Sequence, residues 1–335
     1  MKKALIIGST VVDVIIHVDH LPKTQEDVHV ISQKMSLGGC AYNTSDMIRH
    51  FQVPYILFSP IGAGAYGDFV RAELNKRGIR SPIPSPKQEN GCCYCFVENG
   101  GERTFISYHG AEYLFQKEWF SLLDTEDIDC VYVCGLEIEE TTGANIVAWL
   151  EEHPQLTVYF APGPRINRID SALLKRIFAL HPILHLNEEE ACTYVQNCQS
   201  NDDKLAAVSD TAPTLKTAGH PSPDQKCSLE NAAAFLHRLT GNTVIITLGE
   251  RGTYYYSEKE NGCVESIPAT QMDTIGAGDS HIGAIIACQK LGMSLRDAVQ
   301  TANKAAAKVV ETEGALLPDE EFLKAGLLLP SHPQS

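Results

Sequence analysis

A chain of 335 residues with 44% hydrophobic side chains can bury a large core, either as one big α/β domain or as two smaller ones. Its formal net charge of −15 argues against nucleic acid and an anionic membrane surface as partners, because both are bound through a basic footprint. An anionic substrate would have to meet a local cluster of Arg or Lys.

In chain order, the apolar run Ala4-Leu5-Ile6-Ile7 is broken at once by Gly8-Ser9-Thr10 and Asp13, which predicts a buried first strand and not an export signal. No stretch approaches the ~18 uninterrupted apolar residues of a membrane span. Eleven cysteines, an odd number without an export signal, predict reduced thiols in the cytoplasm. Cys92, Cys93 and Cys95 lack the two-residue spacing of a zinc knuckle and read as core thiols in a strand.

Short β-branched runs at 4–7, 55–58, 131–134, 156–160, 183–186 and 244–248 alternate with helical periodicity over 43–51, 68–77, 141–152, 170–180, 188–196 and 229–239. That alternation predicts a mostly parallel sheet with helices on both faces. Two more helices follow, one carried by Ile282, Ile285 and Ile286, the other by Ala302, Ala305, Ala306 and Val309. Segments 13–36 and 91–108 break the alternation with paired extended runs, the second around the turn Asn99-Gly100-Gly101, and predict a small separate β-sheet. Segment 199–228, rich in Ser, Asp, Thr and Pro, reads as a surface insertion.

The chemistry concentrates at Asp273-Thr274-Ile275-Gly276-Ala277-Gly278-Asp279-Ser280, directly before a helix. Small residues let the backbone turn tightly, so that amides at a helix N-terminus can face an anion without any lysine. Asp279 at the helix start could be only an N-cap, the usual role of Asp there. The second Asp six residues earlier, with glycines between, favours a catalytic carboxylate.

This run resembles the D-T-x-G-A-G-D signature of the ribokinase-like (PfkB) carbohydrate kinases. Leu37-Gly38-Gly39-Cys40-Ala41-Tyr42-Asn43 resembles their G-G-x-x-x-N signature, preceded by Gly8 and Asp13. Asn187-Glu188-Glu189-Glu190 is similar to their N-x-x-E motif and Thr247-Leu248-Gly249-Glu250-Arg251-Gly252 to their T-L-G-x-x-G turn. Ala302-Asn303 and Glu313-Gly314-Ala315 resemble their C-terminal nucleotide segment. The likeness implies a ribokinase-like three-layer sandwich over 1–325, with a mostly parallel central sheet, a β-lid from 13–36 and 91–108, and a C-terminal tail at 326–335. It further implies ATP-dependent phosphorylation of a sugar hydroxyl.

The same resemblance implies the roles. Asp13, Gly38, Gly39 and Asn43 would hold sugar hydroxyls. Asn187 and Glu190 would organise Mg²⁺ through water, and Thr247, Gly249, Gly252 and Asn303 would line the ATP site. Gly276, Ala277 and Gly278 would offer amides to the transferring phosphoryl group, and Asp279 would accept the hydroxyl proton. Asp273 and Gly314 match part of a monovalent-cation (K⁺) site, while Pro318 departs from the rest of it. Many relatives pair through the lid, which makes a homodimer one option.

Two other motifs are decoys, the first leaving an NAD-dependent oxidoreductase only as a distant alternative. Gly62-Ala63-Gly64-Ala65-Tyr66-Gly67 has the form of a dinucleotide fingerprint, but Ser81-Pro82-Ile83-Pro84-Ser85-Pro86-Lys87 cannot be the second strand that fingerprint needs. No G-x-x-x-x-G-K-[ST] loop occurs. Gly64, Ala161 and His281 depart from the family pattern, where an acidic residue, Asp and Phe are common. A sugar-sensing protein that kept the fold and lost the reaction is the competing reading; the intact Asp279 and glycine turn argue against it. As to substrate, a neutral sugar such as ribose or fructose stands beside an acidic one such as 2-keto-3-deoxygluconate. Arg103 on the lid hairpin and Arg165 after strand 156–160 could together clamp the anion of the latter, or each could make a surface ion pair.

Overall fold

The computed structural model describes residues 1–208 and 228–327. Its strands are β1 (Lys3–Ile7), β2 (Val11–Val18), β3 (Val30–Gly38), β4 (Tyr55–Phe58), β5 (Cys92–Val97), β6 (Arg103–Tyr108), β7 (Ile128–Cys134), β8 (Thr157–Ala161), β9 (Ile183–Asn187), β10 (Val244–Thr247), β11 (Thr253–Tyr256) and β12 (Asn261–Val264). Its helices are α1 (Cys40–His50), α2 (Gly64–Lys76), α3 (Gly135–Glu139), α4 (Gly143–Glu151), α5 (Ser171–Phe178), α6 (Glu188–Val208), α7 (Leu229–Thr240), α8 (Ala277–Lys290), α9 (Leu295–Val310) and α10 (Asp319–Lys324).

The main sheet has the order β12-β11-β10-β9-β8-β7-β1-β4 and is parallel from β10 through β4. Strand β1 shows why the molecule has three layers. Ala4 and Ile6 join the cluster that holds Met47 and Ile48 of α1, Ile282 and Ile285 of α8 and Val299 of α9. Leu5 and Ile7 join the opposite cluster, with Ile146 of α4, Leu174 of α5, Val195 of α6 and Leu236 of α7. Alternate residues of a strand face opposite ways, so a strand buried on both sides must be apolar throughout.

The second sheet, β3-β2-β5-β6, is the lid: β2 and β5 are parallel to each other and each carries an antiparallel outer partner. It grows out of the body because β1 feeds β2 directly and β3 runs straight into α1, so Asp13 and Gly38 sit on lid strands beside the body. The ribokinase-like architecture read from the sequence is the one observed.

Several elements differ from expectation. Helix α6 continues to Val208, so 199–208 extends a helix where an insertion was expected; residues 209–227 and 328–335, with the rest of that insertion and most of the tail, lie outside the described residues. Strands β11 and β12 close the far edge of the sheet, β11 antiparallel to β10 and β12 antiparallel to β11, an addition the sequence reading did not include. The short helix α3 also follows β7 unannounced. No helix among the described residues is long and apolar enough to cross a membrane.

Candidate active site

The turn at Asp273–Gly276 delivers the chain into α8. Gly276 has φ +72°, and a Cβ there would lie 2.5 Å from the Ala315 carbonyl oxygen, so glycine is required. Gly278 is the reverse case: an added Cβ meets no protein atom within 4 Å. With Ala277, Gly278 opens onto a cavity of about 610 Å³ lined also by Thr247, Gly249, Gly252 and Asn303. The first amides of a 14-residue helix lack internal acceptors and carry its positive dipole end, so this corner of the cavity suits phosphate.

One residue further on, Asp279 faces the other way. Its Oδ2 accepts a 2.9 Å hydrogen bond from Asn43 Nδ2 on α1, and Thr44 Oγ1 donates to its carbonyl oxygen at 3.4 Å. The two helices come this close because Gly283 of α8 rests on Thr44, whose carbonyl oxygen would be 2.7 Å from any Cβ there. Burial pushes the Asp279 carboxyl up to about 6, opposed by hydrogen bonds from Asn43 and Cys40. Asp13 on β2 is pushed up to about 7, first by burial and then by the charges of Asp279 and Asp273. Gly38 makes room for it, since a Cβ at that position would lie 1.9 Å from Asp13 Oδ2. Gly39, at φ +99°, caps α1 against the Ser9 carbonyl oxygen. Asn43 Oδ1, Ser9 Oγ and Thr10 Oγ1 are buried without protein partners, so polar capacity is left for a hydroxylated ligand.

Glu137 escaped the sequence reading. It is fully buried in α3; Oε1 accepts the Ser9 amide at 2.8 Å and Oε2 has no partner. Burial pushes its carboxyl up to about 7, against the hydrogen bond from the Ser9 amide. Nothing in Gly135-Leu136-Glu137 forms a local motif; only its position after a central parallel strand could have signalled it. Cys40, inside the glycine signature, also reaches this group: its thiol hydrogen-bonds Cys134 and Asp279, and its pKa is pushed well up.

Asn303 also lines the 610 Å³ cavity but spends its amide on the protein. Its Oδ1 accepts from Thr253 Oγ1 at 2.6 Å and from His281 Nε2 at 3.1 Å; its Nδ2 donates to the carbonyls of Val264 and Glu265. With Nε2–H donating, His281 Nδ1 accepts from His185 Nε2 at 3.0 Å. Both histidines are held neutral by burial, His281 down to about 4 and His185 well below the ordinary range. Asn303 is thus a strut that ties α9 to β11 and to the segment after β12.

Asn187 and Glu190 form a reciprocal cap on α6. Asn187 N–H donates to Glu190 Oε2 at 2.9 Å, and Glu190 N–H donates to Asn187 Oδ1 at 2.8 Å. Burial raises the Glu190 carboxyl. Among the described residues no three His, Cys, Asp or Glu side chains gather as metal ligands. A Mg²⁺ bound here would be held mainly by nucleotide phosphates and water, with Glu190 as a carboxylate able to order those waters.

The two arginines read as an anion clamp are each taken up by a carboxylate. Arg103 Nη1 lies 2.7 Å from Asp273 Oδ2, and Arg165 Nη1 lies 3.2 Å from Glu139 Oε2. Asp273 and Gly314 do come together, but through the Gly314 amide donating to Asp273 Oδ2 at 2.8 Å. That is an anion's set of partners and does not fit a cation ligand shell.

Comparison with known proteins agrees with this geometry. Residues 1–321 match the family model described as pfkB family carbohydrate kinase. The chain is 32% identical to the Escherichia coli protein named uncharacterized sugar kinase YegV over 93% of its length and 90% of that protein's. It is 26% identical to a ribokinase of Staphylococcus aureus over 94% and 95%. Ribokinase from Thermotoga maritima superposes with a TM-score of 0.77 at 21% identity, covering 97% of this chain and 99% of that one. Arabidopsis thaliana ribokinase, solved with ribose and ATP, superposes with a TM-score of 0.70 at 18% identity, covering 98% and 99%. The chain therefore belongs to the pfkB family of carbohydrate kinases, phosphotransferases with an alcohol group as acceptor.

Proposed function

We propose that the protein transfers the γ-phosphoryl group of MgATP to a hydroxyl of a neutral sugar, with Asp279 as the base. One observation carries the reading: neighbouring residues of a single turn face two compartments, Gly278 the 610 Å³ cavity and Asp279 the polar shell of Asn43 and Asp13. A sugar in that shell would present a hydroxyl to Asp279, while the helix-end amides of Gly276–Gly278 neutralise the phosphoryl charge. Mg²⁺, when bound with the nucleotide, would draw further charge from the phosphates beside Asn187 and Glu190. Thr247, Gly249 and Gly252 wall the nucleotide cavity.

Neutral acceptors are favoured by charge. Asp279 supplies a carboxylate, Asp13 and Glu137 carry part of a negative charge at neutral pH, and both Arg103 and Arg165 are already paired, so an anionic sugar would meet no free cation. ADP release on mixing protein, MgATP and a panel of pentoses, hexoses and sugar acids tests this. Turnover with a neutral sugar, its KM unmoved by Arg165→Ala, is the expected result. Preference for an acidic sugar, with KM raised more than about tenfold by that substitution, would overturn it.

The lid's outer strands expose Val30, Ile31, Phe105, Ile106 and Tyr108, apolar side chains on two edge strands that support pairing of two copies through the lid. Light scattering reads the assembly: a dimer in the wild type and a monomer in Ile106→Asp are expected, and a monomeric wild type overturns the pairing.

A further inference from the structure

Asp273 joins three segments at one carboxylate. It is buried, its Oδ1 accepts the Ile275 amide at 2.9 Å, and its Oδ2 accepts both the Gly314 amide at 2.8 Å and Arg103 Nη1 at 2.7 Å. The Ile275 bond shapes the start of the catalytic turn. Gly314 precedes Ala315, the residue on which Gly276 rests. Arg103 comes from the first position of β6, in the lid. A side chain of the lid is therefore bonded to the residue that sets the turn.

Charge makes that bond consequential. Asp273 and Asp279 both raise the proton affinity of Asp13, so three carboxylates share one cleft. Among the described residues, Arg103 is the Lys or Arg that forms an ion pair with any of the three. A buried carboxylate is costly without a partner of opposite charge. Its ordinary alternatives are a metal ion or a fixed cationic side chain, and the donor set here decides between them. Gly314 turns an N–H toward Asp273, placing positive charge where an inorganic cation would need an oxygen. The guanidinium by contrast is permanently charged and directional.

We propose that Arg103 is the positioning cation of the catalytic turn: the lid's own guanidinium neutralises Asp273 and holds the turn for phosphate, so the enzyme needs no monovalent metal ion. Lid placement and the phosphate site are then one unit. An open lid withdraws the charge that orders the turn.

The inference rests on the kinase reading above, and binding of MgADP separates the two. Calorimetry is run on wild type, Arg103→Ala and Arg103→Lys in tetramethylammonium chloride and in KCl at equal ionic strength, then with guanidinium added at tens of millimolar. Wild-type affinity is expected to be the same in both salts within about twofold. Arg103→Ala is expected to bind at least about tenfold more weakly, the scale of one lost charge-assisted hydrogen bond, to recover with guanidinium, and to have Arg103→Lys between it and the wild type. Several-fold tightening of the wild type by K⁺, or an Arg103→Ala protein that binds like wild type, overturns the proposal. Equal loss in both variants without guanidinium rescue also overturns it, because Arg103 would then serve only packing. A wild type that binds no MgADP in either salt refutes the nucleotide site itself.

Discussion

Asn43 donates its Nδ2 hydrogen to Asp279 Oδ2 across 2.9 Å, linking two side chains 236 positions apart in the chain. The bond favours the ionised carboxylate that a base must be, against the burial that lifts its pKa to about 6. Below that pH the base is protonated, so kcat/KM should fall on the acid side of about 6. Asn43→Ala removes the stabilising donor and should move the limb to higher pH. Because Asp13 titrates nearby, at about 7, the limb belongs to the pair. Asp279→Asn should lower kcat by roughly 10²–10⁴ with sugar binding little changed. A pH–rate series on the three proteins checks both expectations, and near-wild-type turnover in Asp279→Asn would remove it as base.

Gly276 and Gly278 should fail in opposite ways. Gly276→Ala places a Cβ 2.5 Å from the Ala315 carbonyl oxygen at φ +72°, so the melting temperature should drop by several degrees, as for about 1–3 kcal/mol of strain. Gly278→Val meets no protein atom from its Cβ, so folding should survive while MgADP affinity falls tenfold or more. Melting curves with and without MgADP distinguish the two. Tight MgADP binding by Gly278→Val would mean that nothing binds on that side of the turn.

Glu137 should make the fold less stable as pH rises. Its folded pKa is raised to about 7 by burial, so between the ordinary carboxylate range and 7 the native state holds a proton that the unfolded chain has released. More protons on the native state mean stability that falls with pH over that window and is lost in full above 7. Glu137→Gln removes this cost and should stabilise the protein at pH 8, on the order of 1–3 kcal/mol, with the gain vanishing near pH 4. Denaturant midpoints at the two pH values test it, and a gain that does not depend on pH would contradict the charged-state account.

His281 stands in a closed chain of hydrogen bonds from His185 to Thr253 and Asn303. His281→Phe strands His185 Nε2 in the core and should destabilise by about 1–3 kcal/mol, while loosening Asn303 and raising KM for ATP. Pairing it with His185→Leu removes the stranded partner and should restore most of the stability. Chemical denaturation of the single and double variants reads the coupling, and strictly additive losses would show that the chain is not a unit.

What was legible in the sequence had local causes. Gly38, Gly39, Gly276 and Gly278 are demanded by backbone conformation or by space for a carboxylate or ligand, and Asp279 stands beside its own turn. The central strands showed because both faces are buried and their residues are apolar throughout. Glu137 and the Arg103–Asp273 pair did not show, because each depends on where a strand end or a lid hairpin lands relative to a distant segment. The end of α6 was misjudged because its Ser, Asn and Asp residues favour turns, while the Lys204-Leu205-Ala206-Ala207 stretch continues the helix. Strands β11 and β12 were passed over although Thr253-Tyr254-Tyr255-Tyr256 has strong strand composition.

The packing of α8 against α1 also has a consequence for synthesis. Strand β1 precedes the other strands in the chain and sits between β4 and β7, so the near half of the sheet can pair while the later helices are still being made. Asp279, the glycine turn before it and α9 arrive only after residue 272. On the proposed roles, a nascent or prematurely terminated chain would present Asp13, Asn43 and Glu137 without Asp279 or the glycine turn. By the same roles, ATP hydrolysis would wait for the last helices, because Asp13 and Asn43 lie early in the chain and Gly276–Asp279 late.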